Sequence, residues 1–281
     1  MSEIEVGLVG YGTAGAFFHA PLIHATPGLR LSAVVTGNPV RADEVAARYG
    51  AVAVPDLDHL WDHCDLVVVA SPNKTHMTVA TEALTRGKPV VVDKPLARTA
   101  EEVGGLLYDL GSHLVDQALR LLGPVHEVYA ESDVRREGVA ADDDTFIALS
   151  HAGGARSHLW AGAMAAQLGP RFRVLGSRAA YVKYGMDVQE ERLRAGISPD
   201  SPGFGAENEE MWGLLGTDDA KAAVPTEPGA YLDFYRGVES CLRAGTPPPV
   251  SPESVIDALA VLEAARLSAT ERVVVQLRKE P

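Results

Sequence analysis

The chain has 281 residues, of which 46% are hydrophobic and 22% are charged, and its formal net charge is −13 at pH 7. This length suits two domains, and the composition is that of an ordinary globular protein rather than a disordered one. The negative charge argues against nucleic acid or an anionic membrane as a partner, because both require a dense basic surface. Local binding of a phosphate group by backbone N–H groups stays compatible with this charge.

The two cysteines, Cys64 and Cys241, lie far apart and in no ligand-like spacing. The sequence therefore predicts neither a disulfide framework nor a metal site. A strand-like run begins at Ile4, which leaves no room for a signal peptide, and no apolar run is long enough to span a membrane. We therefore expect a cytoplasmic protein.

The first hundred residues alternate between short apolar runs and helix-like stretches. The runs are rich in β-branched residues, as is typical of parallel strands buried on both faces. They lie at 4–10, 31–36, 51–55, 65–71 and 88–93, and the helix-like stretches at 14–25, 40–49 and 75–86. This rhythm predicts an N-terminal Rossmann domain with a doubly wound parallel sheet over 1–103.

The pattern changes in the second part of the chain. A helix is predicted over 107–122, ending at Gly123-Pro124, and a long loop over 196–230. Two helices follow the loop, the second announced by Ser251-Pro252. Strand-like runs separated by turns lie at 126–135, 145–166, 170–185 and 272–277. They predict a C-terminal α/β domain over 104–281 with a large, mostly antiparallel sheet, whose last helix could pack back on the first domain.

A glycine motif follows the first predicted strand and opens a helix. Gly10, Gly12 and Gly15 are spaced so that the first permits a tight turn and the second lets a pyrophosphate approach the backbone. The third allows close packing of helix against strand, and Thr13 and Ala14 complete the turn at the helix N-terminus. The motif predicts dinucleotide binding, although a glycine-rich turn alone is often only a turn.

The end of the second predicted strand indicates which coenzyme is bound. An NAD site usually has Asp or Glu there, whereas this chain has Thr36, Asn38 and then Arg41. No carboxylate is present to repel a 2′-phosphate, so we predict NADP as the preferred coenzyme, with NAD as the other choice. The alternative is that Arg41 is only a solvated residue in the first turn of a helix.

Two further turns lie at the carboxyl ends of predicted strands, where open α/β sheets bind ligands. The first, Ser71-Pro72-Asn73 with His76, is a candidate coenzyme contact or a plain turn in which Asn73 or Thr75 caps a helix. The second is Asp93-Lys94-Pro95, where proline favours an extended Lys94. A lysine in a partly desolvated cleft beside a cationic nicotinamide is suited to proton transfer, whereas in an ordinary turn it is only a surface residue.

Asp109 and His113 are four residues apart and are predicted to lie on one helix face. Imidazole can remove a hydroxyl proton as the carbon gives up hydride, and a carboxylate can orient the imidazole. Without context such a pair is more often a solvated helix surface.

Together the motifs "GLVGYGTAG", "ASPNKTH", "VVVDKP" and "LLYDLGSHLVDQAL" resemble those of the Gfo/Idh/MocA family of NAD(P)-dependent oxidoreductases. "FRVLGSRAAYVKYGMDVQE" at 172–190 is similar to the second-domain sheet of its scyllo-inositol-dehydrogenase-like, NADP-using branch. The resemblance implies that Lys94 contacts the nicotinamide and the substrate hydroxyl, and that Asp109 and His113 form the proton-transfer pair. It also implies a polyol or sugar substrate such as an inositol, and a homodimer or homotetramer formed through the C-terminal sheet.

The chain departs from the family between Lys94 and Asp109, where the family has a much longer stretch. We place the join near Val103-Gly104. Loss of the longer stretch would remove an edge strand and expose a new sheet edge. The 281 residues omit a segment, or a real deletion left an active enzyme whose edge a partner covers, or a real deletion left a coenzyme-binding protein without catalysis. The intact motifs on both sides favour the first explanation, and a bonded peptide there must give a Cα–Cα distance of about 3.8 Å.

The leading hypothesis is therefore an NADP(H)- or NAD(H)-dependent dehydrogenase of a cyclic polyol or sugar. The alternative is a non-catalytic, NAD(P)-binding regulatory or sensing protein of the same fold. A weaker third possibility, redox-neutral glycosidase chemistry, is disfavoured by the lack of an acidic residue after the second strand.

Overall fold

The computed structural model describes residues 2–95 and 105–277, and the join at Val103-Gly104 lies outside them. The chain divides into two compact units. The first consists of Met1–Ser71, Lys88–Val90 and Gln167–Pro249, and the second of Pro72–Gly87, Val91–Ala166 and Val250–Pro281. The predicted domain boundary at 103/104 also falls outside the described residues and stays a prediction.

A five-stranded parallel sheet confirms the predicted doubly wound Rossmann arrangement. Its strand order is β3-β2-β1-β4-β5. Strand β1 pairs in parallel with β2 on one side and with β4 on the other, and its side chains from Val6 to Val9 are largely inaccessible to solvent. The strands are β1 (Ile4–Val9), β2 (Leu29–Val35), β3 (Val52–Val54), β4 (Leu66–Val69) and β5 (Val90–Val92).

The helix predicted over 14–25 is in fact a π-helical segment, Ala14–His19, followed by α1 (Ala20–His24). The amide of Ala20 donates to the Gly15 carbonyl, five residues back, and Pro21 has no amide with which to continue the ladder. The other helices of the first unit are α2 (Pro39–Tyr49), α6 (Gln189–Arg194) and α7 (Tyr231–Ala244).

The region 196–230, predicted as one long loop, contains a β-hairpin. Its strands β11 (Gly213–Gly216) and β12 (Lys221–Val224) pair antiparallel, and β11 also pairs with β10 (Ala180–Lys183). With β9 (Phe172–Leu175) they form a four-stranded sheet of order β12-β11-β10-β9. The prediction missed the hairpin because its partner strand lies some thirty residues earlier in the chain.

The second unit contains another antiparallel sheet, so the predicted single large sheet is two four-stranded ones. Its order is β13-β6-β7-β8. The strands are β6 (Val125–Asp133), β7 (Asp144–His151), β8 (Arg156–Gly162) and β13 (Val275–Gln276), and the helices are α3 (His76–Thr85), α4 (Leu106–Asp109), α5 (Gly111–Leu122) and α8 (Pro252–Glu271). The chain between β8 and β9 contains Gly169 and Pro170, residues that interrupt a strand ladder.

The core of the second unit is formed where α4, α5 and α8 pack on β6 and β7. Leu107 and Tyr108 of α4 are buried in it together with Val115 of α5 and Leu262 of α8. As predicted, α8 begins at Ser251-Pro252: the Ser251 hydroxyl accepts the amide of Ser254 at 3.1 Å.

The helix predicted over 107–122 is interrupted at Leu110. The amide of His113 donates to the Leu110 carbonyl rather than to Asp109, and the hydroxyl of Ser112 donates to the Asp109 carbonyl at 3.0 Å. This side-chain hydrogen bond competes with the helix ladder. Asp109 is therefore the last residue of α4, and His113 lies in the first turn of α5.

Within 2–95 and 105–277, no helix is both long and apolar enough to cross a membrane. In the same ranges no group of three or more His, Cys, Asp or Glu side chains is arranged to hold a metal ion.

Candidate functional site

The glycine motif has the geometry of a dinucleotide-binding turn. Gly10 has φ +99°, and a Cβ there would lie 2.6 Å from the Ala70 carbonyl oxygen. A Cβ on Gly15 would lie 2.1 Å from the Gly10 carbonyl oxygen, so only glycine fits at either position. A Cβ on Gly12, by contrast, would meet no atom of the described residues within 4 Å. The open space at Gly12 fits a group that approaches the backbone there, as a pyrophosphate would.

Thr13 and Ala14 lie at the start of the helix that leaves this turn. Thr13 is exposed and has helical backbone angles, and Ala14 is the first residue of the π-helical segment. Such segments occur frequently at functional sites.

Tyr11, within the glycine motif, has a role that the motif alone did not predict. Its side chain is buried, and its hydroxyl donates to Glu44 of α2 at 3.2 Å. Arg48 donates to the same carboxylate oxygen at 2.9 Å. Burial raises the pKa of the Tyr11 hydroxyl well above its usual value, so the group stays a hydrogen-bond donor throughout the physiological range. Tyr11 therefore links the glycine turn to α2.

The residues after β2 lie at the N-terminus of α2. The Asn38 side-chain oxygen accepts the amides of Val40 at 3.0 Å and Arg41 at 3.2 Å, so it caps the helix. The Thr36 hydroxyl accepts the amide of Asn38 at 3.3 Å. Arg41 is exposed in the first turn. Capping accounts for the Asn38 oxygen without a ligand, whereas the Arg41 side chain has no partner within the described part of the chain.

The turn after β4 contains Ser71, which is half-buried, and then Pro72 and Asn73. The Thr75 hydroxyl donates to the Pro72 carbonyl at 2.7 Å, and neither Asn73 nor Thr75 caps α3 through its side chain. Thr75 occupies the N-cap position of α3 without a side-chain cap hydrogen bond, and the role of this turn in coenzyme binding stays a prediction. His76 is only 1% exposed, so its ring is buried rather than on an open surface.

Lys94 and Asp109, the nearest members of the two predicted catalytic motifs, are in direct contact. The ammonium group of Lys94 donates to the carboxylate of Asp109. The backbone amide of Lys94 donates to its neighbour Asp93 at 2.8 Å. Both side chains of the pair remain substantially exposed, and His113 is exposed one turn further on. The arrangement offers a charge-assisted ammonium–carboxylate pair that is open to a ligand.

Asp142, which the motifs did not single out, holds the start of α4. Its carboxylate accepts the amide of Leu107 at 2.7 Å, and its backbone carbonyl accepts that of Leu106 at 3.0 Å. The only sequence signal for this role is the acidic run Asp142-Asp143-Asp144. Nothing in that run indicates a contact with a residue 35 positions earlier.

Family models identify the chain. The model of the oxidoreductase family, NAD-binding Rossmann fold, matches residues 4–108, and that of the C-terminal α/β domain matches 97–277. The chain belongs to the Gfo/Idh/MocA oxidoreductase family. The predicted membership is thus confirmed, and the N-terminal part is an NAD-binding Rossmann fold.

Several known proteins and solved structures are similar to this family member. The scyllo-inositol 2-dehydrogenase (NADP(+)) IolW of Bacillus subtilis is 28% identical over 99% of this chain and 97% of its own length. An inositol 2-dehydrogenase of Rubrobacter xylanophilus is 38% identical over 46% of this chain and 39% of its own. The solved oxidoreductase yvaA of Bacillus subtilis is 26% identical, with a TM-score of 0.92 over 99% of both chains.

The relatives also bear on the short connection before Asp109. The alignment with the IolW enzyme runs over 350 positions, whereas this chain has 281 residues, so at least 69 of those positions have no residue here. The two family models overlap within 97–108, the range that contains the predicted join. This family member is thus shorter than the relative it matches along nearly its whole length.

Proposed function

We propose that the protein is a dehydrogenase or reductase that transfers a hydride between NADP(H), or NAD(H), and a hydroxyl or keto carbon of a cyclic polyol or sugar such as an inositol. The contact between Lys94 and Asp109 carries the proposal. These two residues come from separate family motifs, and they meet although the connection between them is short. A chain that retained only the coenzyme-binding fold would have no need to keep this pair together.

In this proposal the glycine turn holds the coenzyme. The backbone at Gly12 lies against the pyrophosphate, and Gly10 and Gly15 allow the turn and the packing that this requires. The bound coenzyme supplies the hydride acceptor or donor. Thr13, Ala14, Ser71, Pro72 and Asn73 are proposed as further coenzyme contacts. The buried ring of His76 is better suited to supporting that turn from inside than to contacting a ligand.

We assign proton transfer to Lys94, Asp109 and His113. The exposed ammonium group of Lys94 can donate a hydrogen bond to the oxygen on the reacting carbon. Asp109 pairs with this ammonium group and orients it. His113 is exposed next to them along the chain and can exchange the proton with solvent. In oxidation the imidazole of His113 accepts the hydroxyl proton while the Lys94 ammonium hydrogen-bonds to the reacting oxygen, and in reduction the imidazolium returns the proton.

We propose NADP as the preferred coenzyme because of the charge around α2. Arg41 projects from the exposed first turn of that helix, and a guanidinium can pair with a 2′-phosphate. The relative IolW, whose name specifies NADP(+), is consistent with this choice.

The experiment is an assay of NADP⁺-dependent oxidation of scyllo-inositol and of a panel of related polyols and sugars, with NADPH binding measured in parallel. Turnover of at least one cyclic polyol is expected. Coenzyme binding without turnover of any member of the panel would contradict the proposal.

A second candidate is a non-catalytic NAD(P)-binding sensor. The observation in its favour is the absence of at least 69 aligned positions compared with IolW. It predicts that NADPH binds and that no substrate is turned over, so the same assay separates the two candidates.

We further propose that the protein forms a homo-oligomer through the sheet of the second unit. The rings of Phe146, His158 and Trp160 contact one another in tilted and edge-on arrangements on one face of β7 and β8. The indole of Trp160 is 67% exposed, which is unusual for so large an apolar group unless a partner covers it.

A further inference from the structure

Helix α4 carries Asp109 but has no N-cap of its own. It has four residues, and its N-cap position is Gly105, which offers no side chain to accept the first amides. A helix this short is unstable in isolation, so its amides need partners from elsewhere in the fold. Asp142, in the turn before β7, supplies both acceptors: the carbonyl oxygen for Leu106 at 3.0 Å and the carboxylate for Leu107 at 2.7 Å.

The carboxylate of Asp142 is held by a second donor and lies close to the backbone of Gly105. The hydroxyl of the buried Thr145 donates to the same carboxylate oxygen at 3.1 Å. On the other side, a Cβ on residue 105 would lie only 1.5 Å from the second carboxylate oxygen. The Asp142 carboxylate therefore occupies the space that any side chain at Gly105 would need. A side chain at position 105 would therefore displace the Asp142 carboxylate.

The cap lies one helical turn from the predicted catalytic group. The amide of Asp109 donates to the Gly105 carbonyl at 3.1 Å, so the backbone that Asp142 holds leads directly to Asp109. Leu107 and Tyr108 anchor the opposite side of α4 in the core. These apolar contacts hold the helix against the unit, and the cap fixes the direction of its first turn.

We propose that Asp142 is a positioning residue, which acts through α4 to hold the carboxylate of Asp109 against the ammonium of Lys94. This inference rests on the proposed function for its catalytic consequence, but not for the contact itself. It also explains how Lys94 and Asp109 can meet although the connection before Gly105 is short. The start of α4 is held by Asp142, in the turn before β7, and not by that connection alone. Small displacements of a catalytic group reduce rates strongly.

The test compares Asp142→Ala and Asp142→Asn with the reference variant Asp109→Asn and the control Asp116→Ala. Asp116 is an exposed carboxylate of α5 that pairs with Arg120, so its removal changes the charge of the same region without touching the cap. The first measurement is the rate at which Lys94 reacts with an amine-directed reagent, determined by mass spectrometry of the digested protein. This readout does not require enzymatic activity.

Asp142→Ala is expected to raise the labelling rate of Lys94 to that of Asp109→Asn, whereas Asp116→Ala should match the parent. Asp142→Asn retains an oxygen acceptor and should give a smaller increase, and it serves as the variant of choice if the alanine protein does not fold. Unchanged labelling of Lys94 in folded Asp142→Ala and Asp142→Asn would overturn the proposal.

The second measurement is kcat with a substrate that the parent oxidises. Asp142→Ala should lower kcat by about 10- to 100-fold, with little change in the KM for NADP⁺. In an Asp109→Asn background the same substitution should have almost no further effect, since it acts through Asp109. An equal loss in both backgrounds would overturn the positioning role. If the parent shows no turnover, the proposed function fails, and the labelling result still decides the inference.

Discussion

The ammonium group of Lys94 donates a hydrogen bond to the carboxylate of Asp109, 15 residues further along the chain. The two residues belong to separate sequence motifs, and they meet within the second compact unit although only a short connection joins them. The geometry of the pair thus does not depend on a long connection. It depends on β5, which leads to Lys94, and on the capped and buried helix that carries Asp109.

Gly12→Ala should separate coenzyme binding from folding. Because a Cβ at this position meets no atom within 4 Å in the part of the chain that the structure describes, the melting temperature should stay within about 2 °C of the parent. The same Cβ would occupy the space proposed for the pyrophosphate, so NADPH affinity should fall at least tenfold, or about 1.4 kcal/mol. Isothermal titration with NADPH and a thermal melt check both parts.

The control for this variant is Gly153→Ala, in the turn between β7 and β8, where a Cβ also meets nothing within 4 Å among residues 2–95 and 105–277. Gly153→Ala should change neither the melting temperature nor the affinity for NADPH. Undiminished NADPH affinity in Gly12→Ala would show that the coenzyme does not lie against this glycine.

Arg41→Ala should change the choice of coenzyme. A lost charge-assisted contact with a 2′-phosphate costs about 1.5 to 3 kcal/mol, so the Kd for NADPH should rise about 10- to 100-fold while that for NADH stays nearly constant. The control is Arg86→Ala, another helix-surface arginine, which pairs with Glu82. If both Kd values change equally, Arg41 does not read the 2′-phosphate.

Asp143 should contribute to stability in a pH-dependent way. The amide of Arg135 and the guanidinium and amide of Arg136 donate to its buried carboxylate and lower its pKa. The neighbouring carboxylates Asp133 and Asp144 pair with Arg135. The stabilisation is present above the unfolded-state pKa of about 3.9 and is lost as the pH falls through the lower folded-state value.

Asp143→Asn should therefore be less stable than the parent at pH 7, and the difference should shrink below about pH 4. Urea unfolding of both proteins at several pH values measures this, with Asp116→Asn as a surface control. A difference between Asp143→Asn and the parent that is constant from pH 7 to about pH 3 would contradict the assignment.

Trp160→Glu should weaken self-association. A charge placed in the exposed aromatic group of β7 and β8 would have to be desolvated in the proposed interface. Sedimentation equilibrium should show a shift from oligomer to monomer, whereas Leu121→Glu, at an exposed position on α5, should leave the oligomer intact. An unchanged oligomer in Trp160→Glu would place the interface elsewhere.

Much of the fold follows from local patterns. Buried strands such as Leu66–Val69 consist only of apolar, mostly β-branched residues, and Ser251-Pro252 announces a helix start by its chemistry alone. The positions missed by these patterns depend on competing or distant contacts. A helix that periodicity predicts as continuous divides into α4 and α5 where the Ser112 hydroxyl donates to the Asp109 carbonyl, and the hairpin β11–β12 pairs with the distant strand β10.

The residues of the candidate site likewise fall into those that the sequence predicts and those that it misses. The glycines and Lys94 are recognisable from the sequence because each follows a strand end, where a turn and a ligand are expected. Asp142 is not recognisable, because its role exists only through Leu107, 35 residues away. The role of Tyr11 is missed for the same reason, because the acceptor of its hydroxyl, Glu44, lies in α2, 33 residues further along the chain.

The most direct test of the proposed chemistry is the NADP⁺-dependent oxidation of scyllo-inositol by the parent protein and by Lys94→Ala, with NADPH binding measured for both. We predict turnover by the parent, a loss in kcat of about 10²- to 10⁴-fold in Lys94→Ala, and NADPH affinities that differ by less than tenfold. Equal turnover by the two proteins, with NADPH bound to both, would contradict the account.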